Sequence, residues 1–352
     1  MKKIRVGIIG QGRSGFAIHA HTITKVVPDL FEVAAVADPI EERRREMKEA
    51  GAKTYADYRE MLRQKDIDLI VNSTPSHLHV PVSIECLKAG FNTLSEKPAA
   101  RRAADLDKAV DAARKAGKLY AVFQQSRFAP YFRKVREVID SGVLGRPVLV
   151  KIAFNGFGRR WDWQTLQDHA GGNLLNTGPH PLDQALNLFG GTDMPKVHCL
   201  MDRAVTFGDA EDVVKLILSG QGHPTIDLEI SSCSAYNPYT YQVHATRGGL
   251  TGTMDHVEWK WFKPEEAPVR ELTEEPLSGR AYCSENLTWH TGSWDFPKEG
   301  PPLFDVMAKA FYVDLYGVLT EGKPLEVPVE QVRRQVAVIE ECHRQNPLSM
   351  LR

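Results

Sequence analysis

The chain has 352 residues, of which 42% are apolar and 25% charged, and its formal net charge is −1. This composition is typical of a soluble globular protein, and the length exceeds what one hydrophobic core usually organises, so we expect two domains. The balanced charge argues against binding to nucleic acid or to an anionic membrane. No apolar run reaches the roughly 18 residues of a membrane span.

The cysteines and histidines form no recognisable disulfide or metal pattern. The five cysteines are odd in number and far apart, with no C-x-x-C, which predicts reduced thiols in a cytoplasmic protein. His19, His21, His77 and His79 are better explained as capping or packing residues than as ligands. We therefore expect no metal site.

The stretch from Ile4 to Asp38 predicts a dinucleotide site. Ile4 to Ile9 is an apolar run of strand type, Phe16 to Val26 is compatible with a helix, and residues 33–37 form a second strand. A glycine-rich turn joins the first strand to the helix, with the sequence Gly10-Gln11-Gly12-Arg13-Ser14-Gly15. In such a turn the first glycine permits a tight bend, the second lets the backbone approach a pyrophosphate, and the third lets helix and strand pack closely.

Asp38 ends the second strand and predicts the choice of cofactor. Its carboxylate can accept hydrogen bonds from an adenosine ribose and would repel the 2′-phosphate of NADP. Arg13 and Arg43 are the nearby cations that could bind such a phosphate, so the sequence favours NAD over NADP. The alternative is a purely structural glycine-rich turn with Asp38 as a helix cap.

Strands and helices alternate up to Gln125. After Asp38 we expect helices at 41–49, 55–64, 78–89 and 104–116, and strands at 66–71, 92–95 and 119–124. This alternation predicts an α/β fold, a Rossmann domain with a doubly wound parallel sheet, over residues 1–125. Because ligands bind at the carboxyl ends of such strands, the expected cofactor contacts also include Ser73, Thr74, Pro75, His79, Glu96, Lys97 and Gln125.

The pattern changes at Ser126. We expect a helix at 130–141, strands at 147–157, 212–219, 225–233 and 239–246, and closing helices at 303–319 and 329–344. Strands that follow one another without helices predict a large open, mainly antiparallel sheet in an α+β domain over residues 126–352. An open sheet bearing aromatic side chains favours a homo-oligomer, either a dimer or a tetramer.

Several motifs resemble the glucose–fructose oxidoreductase/inositol dehydrogenase (Gfo/Idh/MocA) family. They are the glycine-rich turn, Thr74-Pro75 with His79, Glu96-Lys97-Pro98, Arg127-Phe128, and the segment 171–183 that contains Asn176 and His180. The resemblance implies a nicotinamide cofactor held between a Rossmann domain and an open-sheet domain. It also implies reversible oxidation of a secondary alcohol of a sugar or cyclitol, with Lys97 and His180 flanking the reacting carbon.

General chemistry supports catalytic roles for Lys97 and His180. Removal of a hydride from a carbinol requires its hydroxyl proton to leave, and an imidazole such as His180 can accept that proton. The Lys97 ammonium can stabilise the developing oxyanion. Asn176 is a departure, because the family usually has an aspartate there, and an amide can orient a group but cannot take up a proton. Asp183, three residues after His180, could orient the imidazole or form a salt bridge.

The substrate contacts are expected from Arg127, Trp161, Trp163 and Gln164, together with Asn176 and His180. Gln164 is a second departure, since the family usually has an arginine after the tryptophan. Aromatic faces beside polar groups suit a polyol or glycoside, whereas Trp259 and Trp261 are expected to cover a sheet or subunit interface. Two other functions stay open: a glycoside-processing enzyme that uses transient oxidation and elimination, and a non-catalytic dinucleotide-binding regulator.

Overall fold

Two β-sheets organise the chain in this computed structural model, which describes residues 2–276, 279–280 and 282–350. The first sheet has six parallel strands in the order β3-β2-β1-β4-β5-β6. The strands are β1 (Ile4–Ile9), β2 (Phe31–Ala37), β3 (Lys53–Tyr55), β4 (Leu69–Asn72), β5 (Asn92–Ser95) and β6 (Tyr120–Val122). This order confirms the predicted Rossmann domain.

Helices connect the strands of the first sheet. They are a first helix in two parts (Arg13–Ala20 and Thr22–Val26), α1 (Glu41–Glu49), α2 (Tyr58–Met61), α3 (His79–Lys88) and α4 (Ala103–Ala116). The helix α4 ends where Gly117 adopts a left-handed conformation (φ 62°), which is a common way to stop a helix. The predicted bounds of α1 and α4 agree with the structure to within one residue.

Two predictions in this domain were wrong in detail. The first helix begins at Arg13, before the expected Phe16, and has widened π-type turns, as in the 2.9 Å bond from Val27 N to the Thr22 oxygen. The expected helix at 55–64 is shortened to the one-turn helix α2, and its first residue, Tyr55, instead ends the short edge strand β3. Asp57 explains this division, because its side chain accepts from Arg59 N and caps α2.

The second sheet has eight strands in the order β14-β13-β12-β11-β7-β10-β9-β8. The neighbours are antiparallel except β7 and β10, which are parallel, so the prediction of a mainly antiparallel sheet is confirmed. The strands are β7 (Pro147–Asn155), β8 (Lys196–Asp202), β9 (Val213–Ser219), β10 (Thr225–Ser231), β11 (Tyr241–Ala245), β12 (Gly248–Gly252), β13 (His256–Trp261) and β14 (His290–Asp295). The strands β8, β12 and β14 were not predicted, because they are rich in polar residues or glycine.

Helices cover one face of the second sheet. These helices are α5 (Pro130–Asp140), α6 (Asn173–Asn176), α7 (Pro179–Phe189) and, along its last turns, α9 (Val329–Gln345). Trp259 and Trp261 pack against this core, as expected for side chains that cover a sheet. Trp161, in contrast, is 81% exposed in the loop after β7.

The helix α8 (Leu303–Glu321) returns to the first domain, although it follows the whole second sheet in sequence. Phe311, Tyr312 and Leu315 are buried in the same core as the strands of the first sheet. A boundary at residue 125 therefore separates the two sheets, but the Rossmann core is completed by a helix from the far end of the chain.

Within the described residues, no helix is long and apolar enough to cross a membrane. The same residues contain no group of three or more His, Cys, Asp or Glu side chains that could hold a metal ion. All five cysteines are free thiols.

Candidate active site

A cleft of about 250 Å³ lies where the carboxyl ends of the first sheet meet the loop after β7. Thirteen of the predicted site residues line it: Gly10, Gly12, Arg13, Ser14, Asp38, Ser73, Thr74, Pro75, His79, Glu96, Lys97, Trp163 and Gln164. Arg43, Ser76, Arg160 and Asp162 complete the lining. A larger hollow of about 650 Å³ lies on strands β11 to β14 of the second sheet and includes none of these residues.

The glycine-rich turn has the shape that a pyrophosphate requires. Gly10 adopts a φ of 86°, and a Cβ at Gly15 would lie 1.8 Å from the Gly10 oxygen, so the helix starts directly against the end of β1. A Cβ at Gly12 would approach only the Arg43 guanidinium, at 3.9 Å, which leaves the cleft side of the turn open. The first helix also begins without a side-chain cap, so its positive end faces the cleft.

Asp38 is almost fully buried beside this turn. One carboxylate oxygen accepts from Gln11 N at 2.8 Å and the other from Ile40 N at 2.9 Å. Each oxygen keeps a further lone pair, which a ribose hydroxyl can use. The Arg43 guanidinium lies 3.8 Å from Asp38, so a cation stands beside the carboxylate that is expected to exclude a 2′-phosphate. These groups suit the adenosine ribose of a dinucleotide: the carboxylate can bind the ribose hydroxyls, and the guanidinium is the nearby cation.

His79 holds two turns of the cleft floor together. Its Nδ1 lies 2.8 Å from the Pro98 oxygen and its Nε2 lies 2.9 Å from the Thr74 oxygen. Burial lowers the pKa of His79, so the neutral ring donates to one of these carbonyls at a time. We expected His79 to contact the cofactor; both of its ring nitrogens contact the protein backbone, and the residue also lines the cleft.

Lys97 points from the first domain toward the second. Its Nζ donates to the backbone oxygen of Asn176 at 2.9 Å, and the peptide bond to Pro98 is cis. Desolvation lowers the pKa of Lys97, the Glu96 carboxylate opposes this effect, and nearby Arg13 and Arg160 reinforce it. Lys97 is thus a partly buried amine whose proton affinity depends on its charged neighbours.

Glu96 is buried behind Lys97. Its Oε1 lies 3.2 Å from His19 Nε2, and its Oε2 accepts from the backbone N of Lys97 at 3.0 Å. Burial alone would raise the pKa of Glu96, but the hydrogen bond from His19 and the neighbouring positive charges lower it to about 2. His19 in turn contacts the Tyr312 hydroxyl. Tyr312 was not predicted at the site, because it lies 293 residues from His19 in sequence and nothing local marks it.

Close backbone packing brings the His180 segment to Lys97. Gly172, with a φ of 106°, donates from its N to the Gln164 oxygen at 2.9 Å, and a Cβ there would lie 2.3 Å from the Glu211 carboxylate. The short helix α6 starts at the next residue and ends at Asn176. The Asn176 side-chain oxygen accepts from Gln164 Nε2 at 3.2 Å. The amides at the two family departures, positions 164 and 176, therefore contact each other.

His180 lies at the start of α7, one helical turn after Asn176. Burial lowers its pKa to about 3, and the charge of Lys97 contributes to the same shift. The imidazole is therefore neutral near pH 7, and its surroundings disfavour the protonated form. Within the described residues, its buried Nδ1 has no hydrogen-bond partner.

Asp183 does not orient His180. Its two oxygens each accept from the Arg127 guanidinium at 2.7 Å, and Arg127 also donates to Gln331 at 2.9 Å. We expected Arg127 to contact substrate, and in this structure its side chain is buried in an ion pair and is not part of the cleft lining. A buried cation needs a buried partner, and Asp183 provides it.

The other predicted residues stand beside the cleft rather than on its surface. Gln11 is buried and reaches the site through its backbone N–H, and Gln125 is buried at the end of β6. Trp161 points into solvent. The backbone oxygen of Asn176 accepts a hydrogen bond from Lys97, and the charge of Lys97 lowers the pKa of His180. Arg160 and Asp162, which form an ion pair on the cleft wall, belong to the loop already singled out from sequence.

Comparison with known proteins identifies the family. Residues 4–124 match the family model described as an oxidoreductase family with an NAD-binding Rossmann fold, and residues 132–251 match the Gfo/Idh/MocA C-terminal domain. Inositol 2-dehydrogenase 2 of Saccharopolyspora erythraea is 28% identical over 345 residues, which cover 92% of this chain and 96% of that protein. A myo-inositol 2-dehydrogenase of Thermotoga maritima is 32% identical over 151 residues, covering 42% of this chain and 44% of that protein.

Further relatives extend the comparison to the cofactor and to solved structures. A scyllo-inositol 2-dehydrogenase (NADP(+)) of Bacillus subtilis is 29% identical over 196 residues, which cover 55% of this chain and 53% of that protein. This chain therefore spans about half the length of two of these relatives. The crystal structure of an NAD-binding protein from Listeria innocua has the same fold over 100% of both chains, with a TM-score of 0.81 at 24% identity. The chain belongs to the Gfo/Idh/MocA family of NAD-binding Rossmann oxidoreductases.

Proposed function

We propose that this protein reversibly oxidises a secondary hydroxyl of a sugar, sugar derivative or cyclitol, with NAD as the preferred cofactor. The observation that carries the proposal is the contact between Lys97 Nζ and the Asn176 backbone, which joins an amine of the dinucleotide cleft to the segment bearing His180. The names of the related inositol dehydrogenases support an alcohol of this class.

The cofactor residues follow from the cleft. The open side of Gly12 and the uncapped helix start receive the pyrophosphate, and the free lone pairs of Asp38 receive the ribose hydroxyls. When bound, the nicotinamide ring supplies the hydride acceptor. The preference for NAD rests on the Asp38 carboxylate. The Arg43 guanidinium lies 3.8 Å from this carboxylate and would have to leave it to bind the 2′-phosphate of NADP.

Lys97 and His180 both assist the loss of the hydroxyl proton, in different roles. Burial and the Lys97 charge lower the pKa of His180, which keeps the imidazole in the neutral form that a base requires and also weakens its affinity for the proton, so the transfer depends on stabilisation of the alkoxide. The Lys97 ammonium stabilises the alkoxide that develops as the proton leaves. Asn176 keeps Lys97 pointed toward this place through its backbone oxygen, and its amide, which carries no charge, leaves the base role to His180.

Trp163 and Gln164 form the part of the cleft that suits a polyol. The indole offers an apolar face for the C–H side of a ring, while Gln164 and the Arg160–Asp162 pair offer hydrogen-bonding groups on the same wall. This combination is typical of sugar sites, where a few polar groups fix orientation beside an apolar surface.

The direct test is a substrate panel. Purified protein is incubated with NAD or NADP and with inositols, aldoses, aldonates and glycosides, while the absorbance of reduced nicotinamide and the release of aglycone are followed together. We expect reduction of NAD with at least one free polyol, and a slower rate when the reacting C–H is deuterated. Aglycone release without net cofactor reduction would instead establish the oxidation and elimination route. Dinucleotide binding with no reaction on any compound would favour a regulator.

Variants test the named residues. His180→Ala should abolish turnover while NAD still binds, whereas His256→Ala, on the second sheet, should behave as wild type. Asn176→Asp should give a folded enzyme with a shifted pH–rate profile, because a carboxylate would then stand beside Lys97. Retention of the wild-type rate in His180→Ala would show that the base has been assigned wrongly.

Trp163→Ala tests the substrate wall separately. The KM for the sugar should rise without a change in NAD affinity, because the indole lines the cleft on the side of the second domain. Trp289→Ala removes an indole that directly precedes β14 of the second sheet and serves as the control. Equal effects of the two substitutions would argue against a contact between Trp163 and substrate.

A further inference from the structure

Three buried side chains form a hydrogen-bonded chain behind the candidate active site. Tyr312 of α8 lies with its hydroxyl 2.7 Å from His19 Nδ1, and His19 Nε2 lies 3.2 Å from Glu96 Oε1. Tyr312 and His19 have no exposed surface, and Glu96 is 3% exposed. We call Tyr312, His19 and Glu96 the Glu96 relay. It connects the last part of the chain to the residue that precedes Lys97.

The direction of the two hydrogen bonds follows from the chemistry of the groups. Burial and the Glu96 charge raise the pKa of Tyr312 well above its usual range, so the hydroxyl keeps its proton. Since a buried donor without an acceptor is costly, this hydroxyl donates to His19 Nδ1. His19 Nε2 must then carry the ring proton and donate a hydrogen bond to Glu96, because a lone pair on Nε2 would be repelled by the carboxylate.

The hydrogen bonds of the relay and of the backbone occupy both carboxylate oxygens of Glu96. Oε1 receives the His19 N–H, and Oε2 receives the backbone N–H of Lys97. The Lys97 ammonium donates instead to the backbone oxygen of Asn176 at 2.9 Å. Two adjacent, opposite charges thus point to different partners, although a buried carboxylate and a partly buried ammonium attract each other.

We propose that Tyr312 and His19 are positioning residues for Lys97, because they hold the Glu96 carboxylate in a buried network and so prevent it from pairing with the Lys97 ammonium. The ammonium is then free to act on the substrate oxygen. This inference rests on the proposed function of Lys97, and it gives α8 a role in the chemistry that neither its position in the sequence nor its amphipathic pattern indicates.

The charge balance around Lys97 involves several elements. The groups that face Glu96 or Lys97 are His19 and Arg13 from the first helix, His79 from α3, Tyr312 from α8, Arg160 from the loop after β7 and His180 from α7. Arg13 and Arg160 disfavour the charged form of Lys97 and Glu96 favours it. Closer approach of Glu96 would therefore move the titration of Lys97 to higher pH.

Substitutions in the relay test this prediction. His19→Leu removes the donor to Glu96, and Lys97 is then the cation nearest to the freed carboxylate. We expect kcat to fall and the alkaline limb of the pH–rate profile to move up by about one pH unit, which is the scale of a nearby opposite charge. His19→Gln, whose amide can still donate to Glu96, should restore the wild-type limb. Tyr312→Phe should shift the limb in the same direction by a smaller amount.

The matched control is Tyr316→Phe. Tyr316 lies one turn further along α8, packs in the same core, and donates its hydroxyl to the backbone oxygen of Lys2 at 3.2 Å, away from the relay. Its loss should leave the pH profile unchanged. If the limb is unchanged or moves down in His19→Leu, or if Tyr312→Phe and Tyr316→Phe have the same profile, the proposal is overturned.

A measurement on the unsubstituted protein keeps the proposal testable if His19→Leu does not fold. Nitrogen-15 NMR of histidine-labelled protein should show His19 as the Nε2–H tautomer, with Nδ1 acting as an acceptor. The signals of His19 are assigned because they disappear in His19→Gln. A proton on Nδ1 alone would refute the relay. This readout does not depend on turnover. If the protein oxidises no compound in the panel, the proposed function is overturned, but the tautomer of His19 still tests the relay.

Discussion

The buried pair of Arg127 and Asp183 should be essential for the stability of the second domain. The Asp183 side chain is 2% exposed and the Arg127 side chain 8%, and two hydrogen bonds of 2.7 Å join them. Asp183→Asn leaves the guanidinium buried without a counter-charge. Loss of one partner of a buried pair costs about 3–5 kcal/mol, so we expect a loss of this size in the free energy of unfolding.

The double variant separates the pair from its surroundings. In Arg127→Met with Asp183→Leu, both charges are replaced by apolar groups, and such replacements are often neutral or stabilising by about 1–4 kcal/mol. We therefore expect the double variant to be more stable than either single variant. Asp140→Asn is the matched control, because Asp140 pairs with Arg136 at the surface of α5 and surface pairs contribute about 0–1 kcal/mol.

Tryptophan fluorescence during urea denaturation is a suitable assay. All six tryptophans lie between positions 161 and 294, so the signal reports the second domain, where the pair is also located. A loss below about 1 kcal/mol in Asp183→Asn, or a double variant less stable than both single variants, would refute the role assigned to the pair. If Asp183 oriented His180 instead, Asp183→Asn would alter the pH–rate profile, and we expect no such change.

The remaining predictions concern acid stability and the dinucleotide turn. The folded pKa of His180 is lowered from 6.5 to about 3, so its contribution to stability is complete above pH 6.5 and is lost as the pH falls toward 3. In urea denaturation, His180→Gln should therefore lose less stability over this range than wild type, and parallel losses would contradict the shift. Gly12→Ala should keep the thermal midpoint but weaken NAD binding, whereas Gly15→Ala should lower the midpoint, because its Cβ would lie 1.8 Å from the Gly10 oxygen. The opposite order would show that the two glycines have exchanged roles. In Asp38→Ser the ratio of kcat/KM for NADP to that for NAD should rise, and an unchanged ratio would mean that the carboxylate does not select the cofactor.

Local patterns were sufficient to predict the Rossmann domain. The glycine-rich turn, the strand before it and Asp38 after the next strand depend on contacts between neighbouring segments, so their spacing carries the information. The edge strands β3, β8 and β14 were missed because they are short or polar and are stabilised chiefly by the strand beside them. Their conformation depends on pairing, which the chain itself does not display.

The same division applies to the candidate site. The sequence marked Lys97 and His180 as site residues through the motifs that resemble the family, and their roles stay predictions. The sequence could not determine that Arg127 pairs with Asp183, 56 residues away, or that Tyr312 forms a hydrogen bond with His19, 293 residues away. The amino-acid sequence by itself determined the elements with strong local patterns and which of their ends carry reactive groups. Only the tertiary structure decided which partner each buried charge has, because desolvation makes that choice and depends on every segment that packs around the group.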